Sequence, residues 1–181
     1  MTSILLTFHT SEGQTEKIAL RIADVLRERG AVVDLAPADD DPTAARHDGV
    51  IVGDSIHTGK HSRQLRRWIS QHADELGGLP VALFQVSLTS ATDDQAHEHQ
   101  AHGMIAQLLD DTGLDPDLVG LFAGALAYTR YGWFKRHLMS RVAAREGTDT
   151  DMTRDHEYTD WDAVDHFAQD AYSLIAGVAA A

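Results

Sequence analysis

Short apolar runs alternate along this chain with longer stretches in which large side chains return every three or four positions. Residues 3–8 form an apolar run fit for a buried strand, and residues 16–29 carry Ile18, Ile22, Val25 and Leu26 at helical spacing until Gly30 stops them. A second strand is predicted at 32–36, and an acidic, proline-containing loop at 37–47 leads to a third apolar run at 49–53. A helix over 62–76 presents Leu65, Trp68, Ile69 and Leu76 on one side. Pro80 then opens a fourth strand at 81–86. Residues 94–112 read as a helix through Met104, Ile105, Leu108 and Leu109, and 118–123 as a fifth strand. Strands alternating with amphipathic helices predict an α/β fold in which βα units build a doubly wound parallel sheet.

The alternation lapses from Gly124 to Tyr158. A loop of that length inside a compact domain is uncommon unless it has a function, so it is expected to be an insert after or within the fifth-strand region. A final helix follows, with Thr159 predicted to cap it and Asp162 to reach back, and with Val164, Phe167, Ala168 and Ile175 inward. A length of 181 residues and an apolar fraction of 43% suit one domain spanning the chain. No run approaches eighteen apolar residues, and Met1 leads straight into a strand, so a cytoplasmic protein is expected.

Cysteine is absent, which removes disulfides, thiolate metal sites and cysteine nucleophiles together. Any redox chemistry must come from a cofactor. With 15 basic against 28 acidic residues the net charge is −13, which argues against nucleic acid as a partner, since phosphate contacts need a basic face. Lysine is confined to Lys17, Lys60 and Lys135. Such an acidic surface fits a salt-rich cytoplasm, and a GC-rich genome would give the same shortage of lysine.

Thr10, Ser11, Glu12, Gly13, Gln14 and Thr15 lie between the first strand and the first helix, where backbone N–H groups and the positive helix end can receive a phosphate dianion. Gly13 permits close approach and the hydroxyls supply neutral donors. The loop holds no lysine or arginine, unlike a Walker loop, so a nucleotide triphosphatase is not expected. Taken alone, Thr-x-x-Gly-x-Thr is also what a capped strand-to-helix turn looks like.

This loop resembles the flavodoxin phosphate loop. Ser55, Ile56, His57, Thr58 and Gly59 lie where that family places its first flavin-flanking loop, and Ser87, Leu88 and Thr89 match the second. The resemblance implies FMN and a five-stranded flavodoxin-like sheet of order 2-1-3-4-5. That family is itself the standing example of a flavin at the β1/β3 switch point, so this geometry comes with the resemblance.

Further on, residues 124–133 (GALAYTRYGW), 148–150 (TDT) and 158–161 (YTDW) resemble the flavodoxin-type, menaquinone-dependent protoporphyrinogen dehydrogenases of haem synthesis, over essentially the whole chain. The resemblance implies oxidation of a porphyrinogen by FMN, with a quinone as electron acceptor; no residue of this sequence stands out as an indispensable general base. The segment points to an anionic ligand on its own account. Between Tyr128 and Arg145 lie Arg130, Lys135, Arg136, Arg141 and Arg145 with no acid, in a strongly acidic chain. Tyr128, Tyr131, Trp133 and Phe134 add flat apolar faces, so Tyr128, Arg130, Tyr131, Trp133, Lys135 and Arg136 are the candidate substrate residues for a planar molecule with carboxylates. The same island could touch anionic lipid, making the protein peripheral at the inner face of the membrane. It could equally be a helix packed on Trp133, Phe134 and Leu138, with its arginines paired to surplus acids.

His97, His99 and His102 do not make a metal site. Residues 97 and 99 point roughly 200° apart on a helix, leaving only His99 and His102 on one face. His57 is placed to donate near the flavin ring or to sit idle at its rim, and Lys60 and His61 read as ordinary loop charges. Two other functions stay open: an electron carrier between protein partners, which the acidic surface suits, and a flavin-dependent quinone reductase. A homo-oligomer is compatible with the sequence.

Overall fold

A computed structural model of the chain describes residues 1–57, 59–88, 95–126, 144 and 155–180, with the backbone alone at 95–98 and 126. Five parallel strands, β1 (Ser3–His9), β2 (Val32–Pro37), β3 (Gly49–Ser55), β4 (Val81–Ser87) and β5 (Leu118–Ala123), lie in the order β2-β1-β3-β4-β5. The helices are α1 (Gln14–Glu28), α2 (Arg63–Gln71), α3 (Ala73–Leu76), α4 (Gln95–Thr112) and α5 (Trp161–Ala179). After β5 a two-stranded antiparallel pair, β6 (Ala125–Leu126) with β7 (His156–Glu157), closes the root of the expected insert, which therefore follows the fifth strand and does not interrupt it.

Alternation along the strands divides the core into two layers. Ile4, Leu6 and Phe8 of β1 face Ile18, Ile22 and Leu26 of α1 and Val164, Phe167 and Ile175 of α5. Leu5, Val50 and Val52 face Leu65, Trp68 and Ile69 of α2 with Ile105 and Leu108 of α4. Because successive strand residues point to opposite faces, both surfaces of the sheet are covered and the strands read as nearly continuous apolar runs. Gly53 has a steric role, since a Cβ there would stand 2.1 Å from the Phe84 ring.

Several boundaries differ from the sequence reading for local physical reasons. Helix α1 begins at Gln14, two residues early, because Gly13 adopts a left-handed conformation (φ 91°) and turns the chain straight into the helix. Strands β1, β3 and β4 run one or two residues further than their apolar runs, since backbone pairing continues through His9, Asp54, Ser55 and Ser87. The expected 62–76 helix breaks at His72, whose ring is drawn to Asp41 at 3.0 Å. Asp160, not Thr159, caps α5, accepting from the N–H groups of Asp162 and Ala163. Thr159 is taken by another partner, described below.

Candidate functional site

Strands β1, β3 and β4 deliver their following loops to one edge of the sheet. The connections from β1 and β3 leave in opposite directions there, opening the crevice in which sheets of this order hold ligands.

In the first loop the Gly13 N–H donates to Thr10 Oγ1 at 2.9 Å, and the Lys17 N–H donates to the Gly13 carbonyl at 3.2 Å. No side chain caps the start of α1, so its first N–H groups keep their donor capacity. Thr15 is buried and its Oγ1 has no partner among the described residues. A buried hydroxyl without a partner, beside an uncapped helix start, suits the acceptor oxygens of a phosphate. Ser11 is exposed, and Glu12 is partly exposed. Gln14 turns away: its Nε2 donates to Thr159 Oγ1 at 2.8 Å, and that hydroxyl donates to the Ala123 carbonyl at 2.8 Å. Gln14 is thus a strut between the phosphate loop and the root of the insert, not a phosphate donor through its side chain.

The second loop is gathered around Asp54, which is 0% exposed. Its Oδ1 accepts from the Ser55 N–H at 2.9 Å, and its Oδ2 accepts from the Ser62 N–H at 2.7 Å and from His61 Nδ1 at 3.0 Å. One carboxylate therefore clamps both ends of the loop. Between them His57 and Lys60 exchange backbone hydrogen bonds of 3.1 and 3.2 Å, with Gly59 at φ 75° in the turn. The Ile56 N–H donates to the Val86 carbonyl at 2.8 Å, which fastens the loop to β4. Ser11 Oγ and Ser55 Oγ lie 3.4 Å apart, where the first two loops meet. Thr58 lies outside the described residues.

His9, the last residue of β1, places Nδ1 3.5 Å from Asp54 Oδ1, an ion-pair separation longer than a good hydrogen bond. Asp54 holds the His9 imidazole above its ordinary pKa, against the opposing pull of burial. For Asp54, burial alone would push the carboxyl up, yet His61, His9 and the Ser62 N–H bring it below the usual carboxylate range.

At the third loop Ser87 is the buried end of β4 and Leu88 follows in a bend, while Thr89 lies outside the described residues. The Gly124 N–H donates to the Ser87 carbonyl at 3.0 Å, and the Tyr158 N–H to the Gly124 carbonyl at 3.1 Å. Both ends of the insert thus meet at the same sheet edge as the three loops. Lys17 of α1 pairs with Glu157 at 3.0 Å, and Trp161 Nε1 donates to the same carboxylate at 3.0 Å. Tyr128, Arg130, Tyr131, Trp133, Lys135 and Arg136 lie outside the described residues.

The structure brings together Thr10, Ser11, Gly13, Thr15, Ser55, Ile56, His57, Gly59, Ser87 and Leu88 at one edge. Sequence reasoning missed His9, Asp54 and His61. His61 is buried beneath the loop, its side chain 3% exposed, and is no ordinary loop charge. The available signal was an acid directly after the apolar run 49–53, with a histidine at the end of each adjoining segment. A cavity of about 640 Å³ lies away from these loops, between Arg63, Arg66 and Arg67 of α2 and Asp111 and Thr112 of α4. It is an open surface groove crossed by the Arg66–Asp111 ion pair and has no converging loops.

Residues 5–153 match the model of the flavodoxin domain family. Protoporphyrinogen IX dehydrogenase [quinone] of Escherichia coli (strain K12) is 31% identical over 172 residues, covering 94% of this chain and 94% of the relative. The protein of the same name from Leishmania major is 34% identical over 174 residues, covering 94% of this chain and 74% of the relative. Among solved structures, oxidised Flavodoxin 1 from Bacillus cereus superposes with a TM-score of 0.54 at 18% identity, covering 97% of this chain and 98% of the other.

Proposed function

The chain belongs to the flavodoxin domain family, and we propose that it is an FMN-dependent dehydrogenase that oxidises protoporphyrinogen IX and passes the electrons to a quinone. The observation that carries the cofactor is the orphaned Thr15 hydroxyl beside the uncapped start of α1. The substrate rests on likeness to the two dehydrogenases over 94% of the chain and on the basic, aromatic insert.

When bound, FMN supplies two-electron acceptance from a reduced carbon and onward transfer to a quinone. The chain's own part is to bind, orient and exclude. Thr10, Ser11, Thr15 and the N–H groups at the start of α1 hold the phosphate by oriented dipoles without a cation. Ser55, Ile56, His57, Thr58 and Gly59 would cradle the ring together with Ser87, Leu88 and Thr89. Arg130, Lys135 and Arg136 would hold the propionates, and Tyr128, Tyr131 and Trp133 would offer flat apolar faces to the macrocycle. No helix among the described residues is long and apolar enough to cross a membrane. The basic insert would supply a surface contact to anionic lipid near a membrane quinone.

Anaerobic addition of protoporphyrinogen to the FMN-loaded protein should bleach the flavin absorbance and raise porphyrin fluorescence. Absence of bleaching, with ready reduction by a flavoprotein reductase, would assign the chain to electron carriage between proteins, the reading its net charge of −13 also suits. Arg130→Ala with Arg136→Ala should raise KM for the porphyrinogen about tenfold or more while leaving FMN affinity unchanged. An unchanged KM removes the insert from the substrate site.

A further inference from the structure

His9, Asp54 and His61 converge beneath the cofactor loops without a part in the flavin chemistry just described. Asp54 is fully buried and ionised, and a buried carboxylate needs a counter-charge as well as hydrogen bonds. No lysine or arginine among the described residues pairs with it. His61 supplies a hydrogen bond through Nδ1, and its Nε2 is buried with no partner among the described residues. His9, with Nδ1 3.5 Å from Asp54 Oδ1, is the source of positive charge that solvent can reach. Its side chain is 15% exposed, so solvent can deliver and remove its proton, while Asp54 from β3 and, at longer range, Asp39 from the 3-10 turn Ala38–Asp40 attract that proton. His61, from the second loop, hydrogen-bonds the other oxygen of the same carboxylate.

Position gives this pair its consequence. His9 directly precedes the phosphate loop and Asp54 directly precedes the second loop, in strand register with each other, and the two segments touch through Ser11, two residues after His9, and Ser55, one residue after Asp54. Resting on the FMN reading above, we propose that His9 is a titratable cation of the cofactor site. While it holds its proton, Asp54 has a counter-charge beside it. Once the proton leaves, the foot of the site becomes more negative by one charge, unfavourable to an anionic cofactor across a poorly screened interior. Linkage makes the effect reciprocal, so FMN binding strengthens the hold of His9 on its proton.

The test is the FMN dissociation constant, from flavin fluorescence quenching, across the neutral to alkaline range in wild type and His9→Gln. In wild type it should rise on the order of tenfold as pH increases through the titration of His9, the size expected for unit charges about 10 Å apart at an effective dielectric near 20. The His9→Gln curve should lack that step, and the phosphate's own ionisation cancels in the ratio of the two. Riboflavin, which has no phosphate, should show little of it. NMR titration of the His9 imidazole in the flavin-free protein should give a pKa above the ordinary value, falling in Asp54→Asn; if that variant does not fold, the His9→Gln comparison decides alone. Parallel curves for wild type and His9→Gln, or an equal step with riboflavin, overturn the inference and leave the FMN reading intact. Failure to bind FMN at any pH overturns that reading and the inference together.

Discussion

Between β1 and α1 the chain turns on Gly13 and offers hydroxyls and backbone N–H groups, with no cation from Thr10 to Thr15. Between β3 and α2 it turns around a buried carboxylate that accepts from Ser55, His61 and Ser62 and stands beside His9. The two loops touch at Ser11 and Ser55, yet one is shaped by backbone conformation and the other by a buried charge. Dipoles fixed to a helix keep their strength at any pH and leave unmet donors for a ligand. A carboxylate fixes a loop by drawing its ends inward, which uses up the donors and makes loop shape depend on ionisation.

The sharpest way to break this contrast is Asp54→Ala. It would strand the His61 imidazole and two N–H groups, and loss of one partner of a buried charged network costs about 3–5 kcal/mol. Urea unfolding of the flavin-free protein should show a loss of that order. A loss below about 1 kcal/mol would mean that the second loop does not depend on its carboxylate. The same network sets the pH response. The folded-state pKa of Asp54 is lowered, so its contribution is complete above the unfolded carboxyl value and is lost as pH falls through the folded one. That of His9 is raised, so its contribution is complete below the unfolded imidazole value and is lost as pH climbs through the folded one. Stability should therefore decline on both the acid and alkaline sides; His9→Gln should flatten the alkaline side and move the acid decline to higher pH, because Asp54 loses one of the partners that lower it.

Thr15→Val probes the first loop with the opposite pattern. The hydroxyl has no partner among the described residues, so its removal should change flavin-free stability by less than about 1 kcal/mol, and FMN affinity should fall about tenfold through loss of a hydrogen bond to a charged group. An unchanged dissociation constant would take Thr15 out of the phosphate site. Ser11→Ala should do least. The exposed contact to Ser55 is long at 3.4 Å, so stability should shift by no more than about 0.5 kcal/mol in the same urea experiment.

The strands, the helices and the two-sided core were legible because apolar runs and helical spacing survive in the linear chain, whereas the sheet order and the two flavin-flanking loops came with the family resemblance. Ile18, Ile22, Leu65 and Trp68 show their faces without any knowledge of partners. The Asp54 cluster was not legible, since His9 and His61 acquire meaning only when β1 and the second loop are side by side, 52 positions apart in the chain (61 − 9 = 52). Thr159 failed for a related reason. Its sequence context is that of a cap, but the Ala123 carbonyl and Gln14 amide compete for its hydroxyl, and Asp160 takes over the capping.

The β6–β7 pair sets Ala125 opposite Glu157 and brings Gly124 to Tyr158, so the chain leaves and rejoins the sheet at a single doorway beside Ser87. A segment hung from such a doorway can lengthen, shorten or be exchanged in descent without shifting the register of any strand. The flavin loops can then stay constant while the hanging segment is traded like a cassette. On the reading of the insert proposed above, a new substrate requires a change in one stretch of sequence, and the redox centre is inherited unchanged.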